Sequence, residues 1–205
     1  MRVFCITIPE ISGEEAKAKA HFDEMEVPAE FIHGIHGTTS GLVSTLPYEF
    51  DNPGSGFNVG AKIISLAVNH VIAWNVCDKL CDDYFLILES DAKFEPGWKE
   101  KFKQALADLP NDWQVLFLGS CNCSGKPMQH IQGNIFKVDT TNPHHMPQCS
   151  HATVYRKSAI KTILETQRKF YTGIDLALIF HSFPLLNVFV CLPRIVDQFG
   201  IVIEP

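Results

Sequence analysis

Residues 84 to 88 read Tyr-Phe-Leu-Ile-Leu, and the chain then turns at once to Glu89, Ser90 and Asp91. A run with so little polar character has no solvent face. It reads as a strand covered on both sides, the habit of a central strand in a parallel sheet. A strand buried on two faces needs helices above and below it, so this one segment already narrows the fold to layered α/β architectures. The acids at its end raise the functional question, because ligands of open α/β sheets gather where strands finish.

The neighbouring sequence supplies the layers. Arg2 to Ile8 is a second apolar run, closed by Pro9, and Ser12 with Glu15 has the spacing of a capping box that predicts a helix to about Met25. Ala29 to Ile35 reads as the next strand, ended by Gly34 and Gly37. Residues 37 to 58 are rich in Gly, Ser, Thr and Pro and read as a long loop, with Asn58 as a cap for the helix that follows. In that helix Ile63, Leu66, His70, Trp74 and Cys77 share one stripe. A helix over about 97–109, a strand in "DWQVLFLGS", strands in "NIFKV" and "HATVYR", helices from Ser158 and around Asp175, and a last strand "NVFVCL" complete the pattern. Strands alternating with helices predict an α/β sandwich, a mostly parallel central sheet with helices on both faces.

A length of 205 residues suits one domain. The reading is a single unit over 1–205. The net charge of −6 gives no general attraction to nucleic acid or anionic membrane. No apolar run approaches the roughly 18 residues of a bilayer span, and the N-terminus reads as a strand, so the expected location is cytoplasmic. Seven cysteines, an odd number, with Cys5 and Cys191 inside apparent strands, favour free thiols over a disulfide framework.

Glu89 and Asp91 form an acidic E-x-D pair, similar to a DxD motif. In an extended segment alternate side chains share a face, so the two carboxylates would converge. Two convergent hard oxygens suit Mn2+ or Mg2+. The plainer alternative is a strand simply exiting to solvent.

Several motifs, taken in order, resemble the family 25 glycosyltransferases, which include lipooligosaccharide and collagen galactosyltransferases. "LESDA" at 88–92 is similar to that family's acidic strand end. "NHVIAW", with His70 and Trp74, is similar to its upstream helix, and "DWQVLFLG" to a following strand. "HATVYRKSAI", "GIDLAL" and "PRIVDQ" resemble its later elements. Together these cover most of the chain. Ser90 stands where the family carries Asp, and Asn69 where it carries Ser.

The resemblance implies a GT-A-like fold, with about 1–120 as a nucleotide-sugar-binding half and about 121–205 as an acceptor-side half, and inverting transfer of a sugar from a nucleotide sugar, commonly UDP-linked, to an acceptor hydroxyl. Ile8, Pro9 and Gly34 would hold the base and ribose, and Glu89, Ser90 and Asp91 the diphosphate, with Glu89 and Asp91 on the metal. His70 takes either a donor-site role or a place in the core, Trp74 packs, and Gln198 contacts donor or acceptor. Asp112 and Trp113 start a strand. Asp175, alone in an apolar setting that would raise its pKa, is the expected general base, or else an acid favoured by a helix N-terminus. The acceptor would be a glycan, a hydroxylated protein or a hydroxymethylated base in DNA, the last pointed to by Arg156, Lys157, Lys161, Arg168 and Lys169. Two rival readings stay open. One is a domain that keeps the fold without catalysis; the other is a zinc site drawn from Cys121, Cys123, His144, His145, Cys149 and His151. A further alternative gives one of His144, His145 and His151 to the catalytic metal as a ligand, or to phosphate as a contact.

Overall fold

The structure, a computed structural model, describes residues 1–36, 49–50, 61–121, 123, 126–170 and 172–199. The expected loop at 37–58, its Gly37 and the cap Asn58 lie outside these residues, except for a two-residue strand within the loop. In chain order the elements are β1 (Arg2–Thr7), α1 (Glu14–Glu24), β2 (Ala29–His33), β3 (Glu49–Phe50), α2 (Ala61–Leu80), β4 (Tyr84–Glu89) and β5 (Ala92–Phe94). Then follow α3 (Trp98–Asp108), β6 (Val115–Cys121), β7 (Met128–Gln132), β8 (Ile135–Val138), β9 (Gln148–Arg156), α4 (Lys157–Thr166) and β10 (Lys169–Phe170). The last are α5 (Ile174–Ala177), continued by a π-helical turn at Leu178–Ser182, and β11 (Val188–Cys191) and β12 (Val196–Gln198).

Eight strands form one sheet in the order β2-β1-β4-β9-β6-β11-β8-β7. Six of them run one way, and only β9 and β8 run against them. The expected common direction is therefore present. Each reversed strand has two neighbours, however, so β9 converts the centre of the sheet to antiparallel pairing. The reversal of β8 has a plain physical reason: it returns from β7 through a two-residue turn with no helix between them, and a parallel neighbour would need a crossover long enough to return the chain. Two small pairs lie outside the sheet, β10 with β3 and β12 with β5.

The buried run that opened the sequence is the hinge of both cores. Phe85 and Ile87 pack with Phe4, Ile6, Val115, Phe117 and Tyr155 under α2, α4 and α5. Leu86 and Leu88 pack the other way, with Val3, Cys5, Leu116 and Val154, against Phe22 of α1 and Trp98 and Phe102 of α3. Phe85, Leu86, Ile87 and Leu88 are all fully buried, each contributing roughly 1.5–3 kcal/mol of transfer free energy. The period-2 pleat sends alternate side chains to opposite layers, which is why no polar residue is tolerated between Phe85 and Leu88.

Two local expectations are corrected. The capping box does not form: α1 begins at Glu14 behind Gly13, which sits in the left-handed region (φ 79°) without a side-chain cap. Glu15 accepts instead from Thr7 Oγ1 at 3.1 Å and lies 2.8 Å from His33 Nε2, joining the ends of β1 and β2. The thiols are not all free, since Cys121 and Cys149 are joined in a disulfide while Cys5, Cys77, Cys81, Cys123 and Cys191 remain unlinked. No helix among the described residues is long and apolar enough to cross a membrane.

Candidate active site at the strand ends

β1 and β4 finish side by side, with Ile6 opposite Glu89. Beyond that rim lies a cavity of about 250 Å³ lined by Ile6, Ile8, Glu14, Leu66, Asn69, Glu89, Ser90 and Asp91. The cavity therefore holds Ile8, Glu89, Ser90 and Asp91 of the expected donor-binding set. A larger cavity, about 730 Å³, opens among Gln114, Lys137, Asp139, Leu185 and Asn187. It sits where β6 and β11 begin, at the opposite rim and away from the acids.

Convergence of Glu89 and Asp91 has a different cause from the one expected. β4 stops at Glu89 and β5 starts at Ala92, so Ser90 and Asp91 form a turn rather than continuing the strand. The turn lets all three side chains line one cavity, where strict alternation would have turned Ser90 away. Ser90 Oγ donates to Glu14 Oε1 at 2.5 Å, and Glu14 Oε2 accepts the Ile8 amide at 2.8 Å. Glu14 thus ties the exit of β1 to the acidic turn. This role was not legible beforehand, because the reach of Glu14 depends on the helix starting two residues after Ser12.

Asp91 is held from behind by the β5–β12 pair, in which Ala92 lies opposite Gln198. Gln198 Nε2 donates to Asp91 Oδ2 at 3.1 Å. Asp91 Oδ1 is buried and has no hydrogen-bond partner. Burial, and next the neighbouring charge of Glu89, push the Asp91 carboxyl up from 3.8 to about 6, while the Gln198 amide pulls the other way. Glu89 Oε1 lies 3.1 Å from His70 Nε2. His70 is wholly buried on α2, so it acts on the cavity through Glu89 and does not line it. Trp74, one turn on, is also fully buried and packs edge-on against Tyr155, consistent with a packing role.

Gly34 and Pro9 are placed differently from Ile8. Pro9 is exposed and does not line the cavity. Gly34 donates its amide to the Thr7 carbonyl at 2.7 Å and packs on Asn69, whose side chain a Cβ at position 34 would meet at 2.4 Å. Asn69 in turn brackets Ile35, accepting its amide at 2.7 Å and donating to its carbonyl at 3.2 Å. A serine there could not span both groups, which gives the Asn69 departure a structural reason.

Asp175 stands at the head of the short α5 and accepts the Cys149 amide at 3.1 Å. Burial and the charge of Glu89 raise its pKa, opposed by His70 and by the backbone bonds. Through Cys149 it connects to the disulfide, and Cys121 Sγ lies 3.4 Å from Gln198 Oε1. The chain of contacts therefore runs from Asp91 through Gln198 and the disulfide to Asp175.

The histidines of the polar middle divide. His145 pairs with Asp139 at 2.7 Å and, with His144, belongs to a one-turn helix capped by Asn142. His151 is buried, its Nε2 lying 3.3 Å from the Val196 carbonyl, and burial lowers its pKa. Asp112 bonds Asn187, and Trp113 is buried against Tyr84, so both serve the opposite rim. Arg156 and Lys157 are at that rim too: Arg156 stacks on Trp113, and Lys157 donates to the Cys81 carbonyl.

No model of a protein family matches the chain, and neither does the sequence of any curated protein. Among solved structures it is similar to A197 from STIV, at 10% identity over 99% of this chain and 87% of that one, with a TM-score of 0.49. It is similar also to a glycosyltransferase involved in glycosylation of the major capsid of PBCV-1, at 11% identity over 94% and 93% of the two chains, TM-score 0.42. A third is mouse xyloside xylosyltransferase 1, at 8% identity over 90% and 81%, TM-score 0.39. Similarity at this level says nothing about individual residues, and the resemblance drawn from the sequence rests on its motifs.

Proposed function

We propose that this chain is a GT-A-like glycosyltransferase moving a sugar from a nucleotide sugar, of the UDP-linked class, to an acceptor hydroxyl with inversion. The observation that carries the reading is Asp91: a carboxylate oxygen, buried and unpartnered, at the edge of an acid-lined cavity where β1 and β4 end. Orphaned buried acceptors are rare because each costs about 1–3 kcal/mol, so one on a residue that lines an acidic cavity fits a cation that the folded chain is built to receive.

Asp91, with Glu89 beside it, would hold Mn2+ or Mg2+. Such a cation supplies Lewis-acid neutralisation of charge on the departing diphosphate. The remaining roles fall to the chain. Ile8, with Gly34 and Asn69 fixing the exit of β2, would shape the base and ribose end of the site. Ser90 and Glu14 hold the acidic turn in place, His70 orients Glu89, and Gln198 orients Asp91. Asp175 would take the acceptor proton as the hydroxyl oxygen bonds to the anomeric carbon and the bond to the diphosphate breaks. A carboxyl raised by burial is the better base for that step near neutral pH.

A glycan or hydroxylated protein is the favoured acceptor class. Arg156 and Lys157, part of the basic set that pointed to DNA, are engaged at the rim opposite the acids. The test is a panel of nucleotide sugars with Mn2+, read as donor hydrolysis and transfer on the wild type and on Asp91→Ala. The reading expects one donor to be consumed in a metal-dependent way and that activity to vanish in the variant. Consumption of no donor, or equal consumption by Asp91→Ala, would overturn it.

A further inference from the structure

The disulfide joins two residues that also belong to the one compact group of three potential metal ligands among the described residues. The ligand atoms of Cys121, Cys149 and His151 all lie within 4.8 Å of one another. Tetrahedral zinc, with bonds of about 2.3 Å to sulfur and about 2.0–2.1 Å to nitrogen, needs donor pairs roughly 3.5–3.8 Å apart. Sulfurs about 2.05 Å apart in a disulfide must part by roughly 1.7 Å once reduced, and the imidazole must move by about an ångström, to meet that demand.

His151 carries the second, independent observation. It is wholly buried, and its Nε2 is 3.3 Å from the Val196 carbonyl, an arrangement in which Nε2 donates. A neutral imidazole that donates from Nε2 has its lone pair on Nδ1, and Nδ1 is buried with no partner. A carbonyl fixing one ring nitrogen while the other stays open is how metal-binding histidines are usually set. Position 119 must be glycine to permit this, since a Cβ there would lie 2.1 Å from His151 Nε2 and 2.4 Å from the Val196 carbonyl oxygen. The backbone has left room for this ring and holds it in one orientation.

We infer that Cys121, Cys149 and His151 form a second metal site, for a thiophilic divalent cation such as zinc, in the dithiol state of the protein. The electron balance is simple. A cellular dithiol reductant gives two electrons and two protons to the Cys121–Cys149 bond and is itself oxidised to a disulfide. Zinc then displaces two protons as the thiols bind it as thiolates, with Nδ1 of His151 as the third ligand and the fourth position open to solvent. Disulfide and metal are alternative clasps between the end of β6 and the start of β9. The clasp lies beside Gln198, which touches Asp91, and beside the Cys149 amide, which holds Asp175. The inference does not require the sugar-transfer reading.

Cobalt(II) is the probe. Added without oxygen to the full-length chain, freshly reduced and freed of reductant, it should give a thiolate-to-cobalt band in the near ultraviolet and tetrahedral bands in the visible. Both should be absent from the oxidised protein and discharged by one equivalent of zinc. Cys149→Ser, with its fold checked by circular dichroism, should lose about half of the near-ultraviolet band and weaken binding at least tenfold. A second measurement needs no variant: one equivalent of zinc should slow alkylation of Cys121 and Cys149 in the reduced wild type at least tenfold, read by peptide mass. Absence of cobalt bands in the reduced protein, bands undiminished in Cys149→Ser, or alkylation indifferent to zinc would each overturn the inference.

Discussion

Asp91 is where a single side chain has the most measurable consequence. Its folded pKa, about 6, lies above the ordinary 3.8, so between those values the folded chain holds a proton that the unfolded chain has released. Stability of the metal-free protein therefore falls as pH rises through that window and is flat above it. Asp91→Asn should stabilise the metal-free protein by about 2 kcal/mol at pH 7, with the gain fading as pH drops toward about 4; urea melts at several pH values check this. With Mn2+ and donor present the sign should reverse, because the variant loses the cation. Asp175→Asn should lower turnover by about 10²–10⁴-fold while leaving donor-induced stabilisation intact, as expected if it moves a proton and binds no phosphate. At this scale the sequence was half legible. Glu89 and Asp91 announced themselves by breaking an apolar run. Glu14 did not, since an acid near a helix start has many ordinary uses, and the Cys121–Cys149 pairing could not be read from seven cysteines whose spacing fixes no connectivity.

Among elements, β4 and α2 were legible because burial on both faces and a long apolar stripe leave few alternatives. β5, β7 and β12 were not: β5 and β12 are three residues each, and β7 is five residues with no fully buried side chain. The β5–β12 pair nevertheless delivers Gln198 to Asp91, so a functional contact hung on elements too short to carry a period. The junction of β2 with α2 makes a separate prediction. Asn69→Ala strands the Ile35 amide and carbonyl and should cost roughly 1–3 kcal/mol. Gly34→Ala drives a methyl into the Asn69 carboxamide and should also destabilise. The double variant should be better than the sum of the two by about 1 kcal/mol or more, because removing the carboxamide makes room for the methyl. A double-mutant cycle by denaturant melts measures this; simple additivity would mean that the two residues do not press on each other.

For the molecule as a whole, the alternation of strands and helices made the two-layer covering legible, yet it concealed the reversal of β9. Nothing in "HATVYR" states its direction, since a strand's polarity is set by the connection that brings it in. If the acid-lined cavity receives metal and donor, the correct donor at about 100 times its Kd with Mn2+ should stabilise the fold by about 2.7 kcal/mol. That is roughly 5–10 °C in Tm for a chain of this size, and it should be absent with chelator or in Asp91→Ala. The position of β9 between β4 and β6 has one further effect, on how the protein is made. The ribosome releases β4, with its four fully buried apolar residues, long before its neighbour on that side exists: the stretch from Glu89 to Gln148 takes roughly 3–12 s to synthesise at about 5–20 residues per second. Throughout that interval β4 has β1 along one flank and an open hydrogen-bonding edge along the other, so a nascent chain stalled before Gln148 should be the species that chaperones hold and that self-associates.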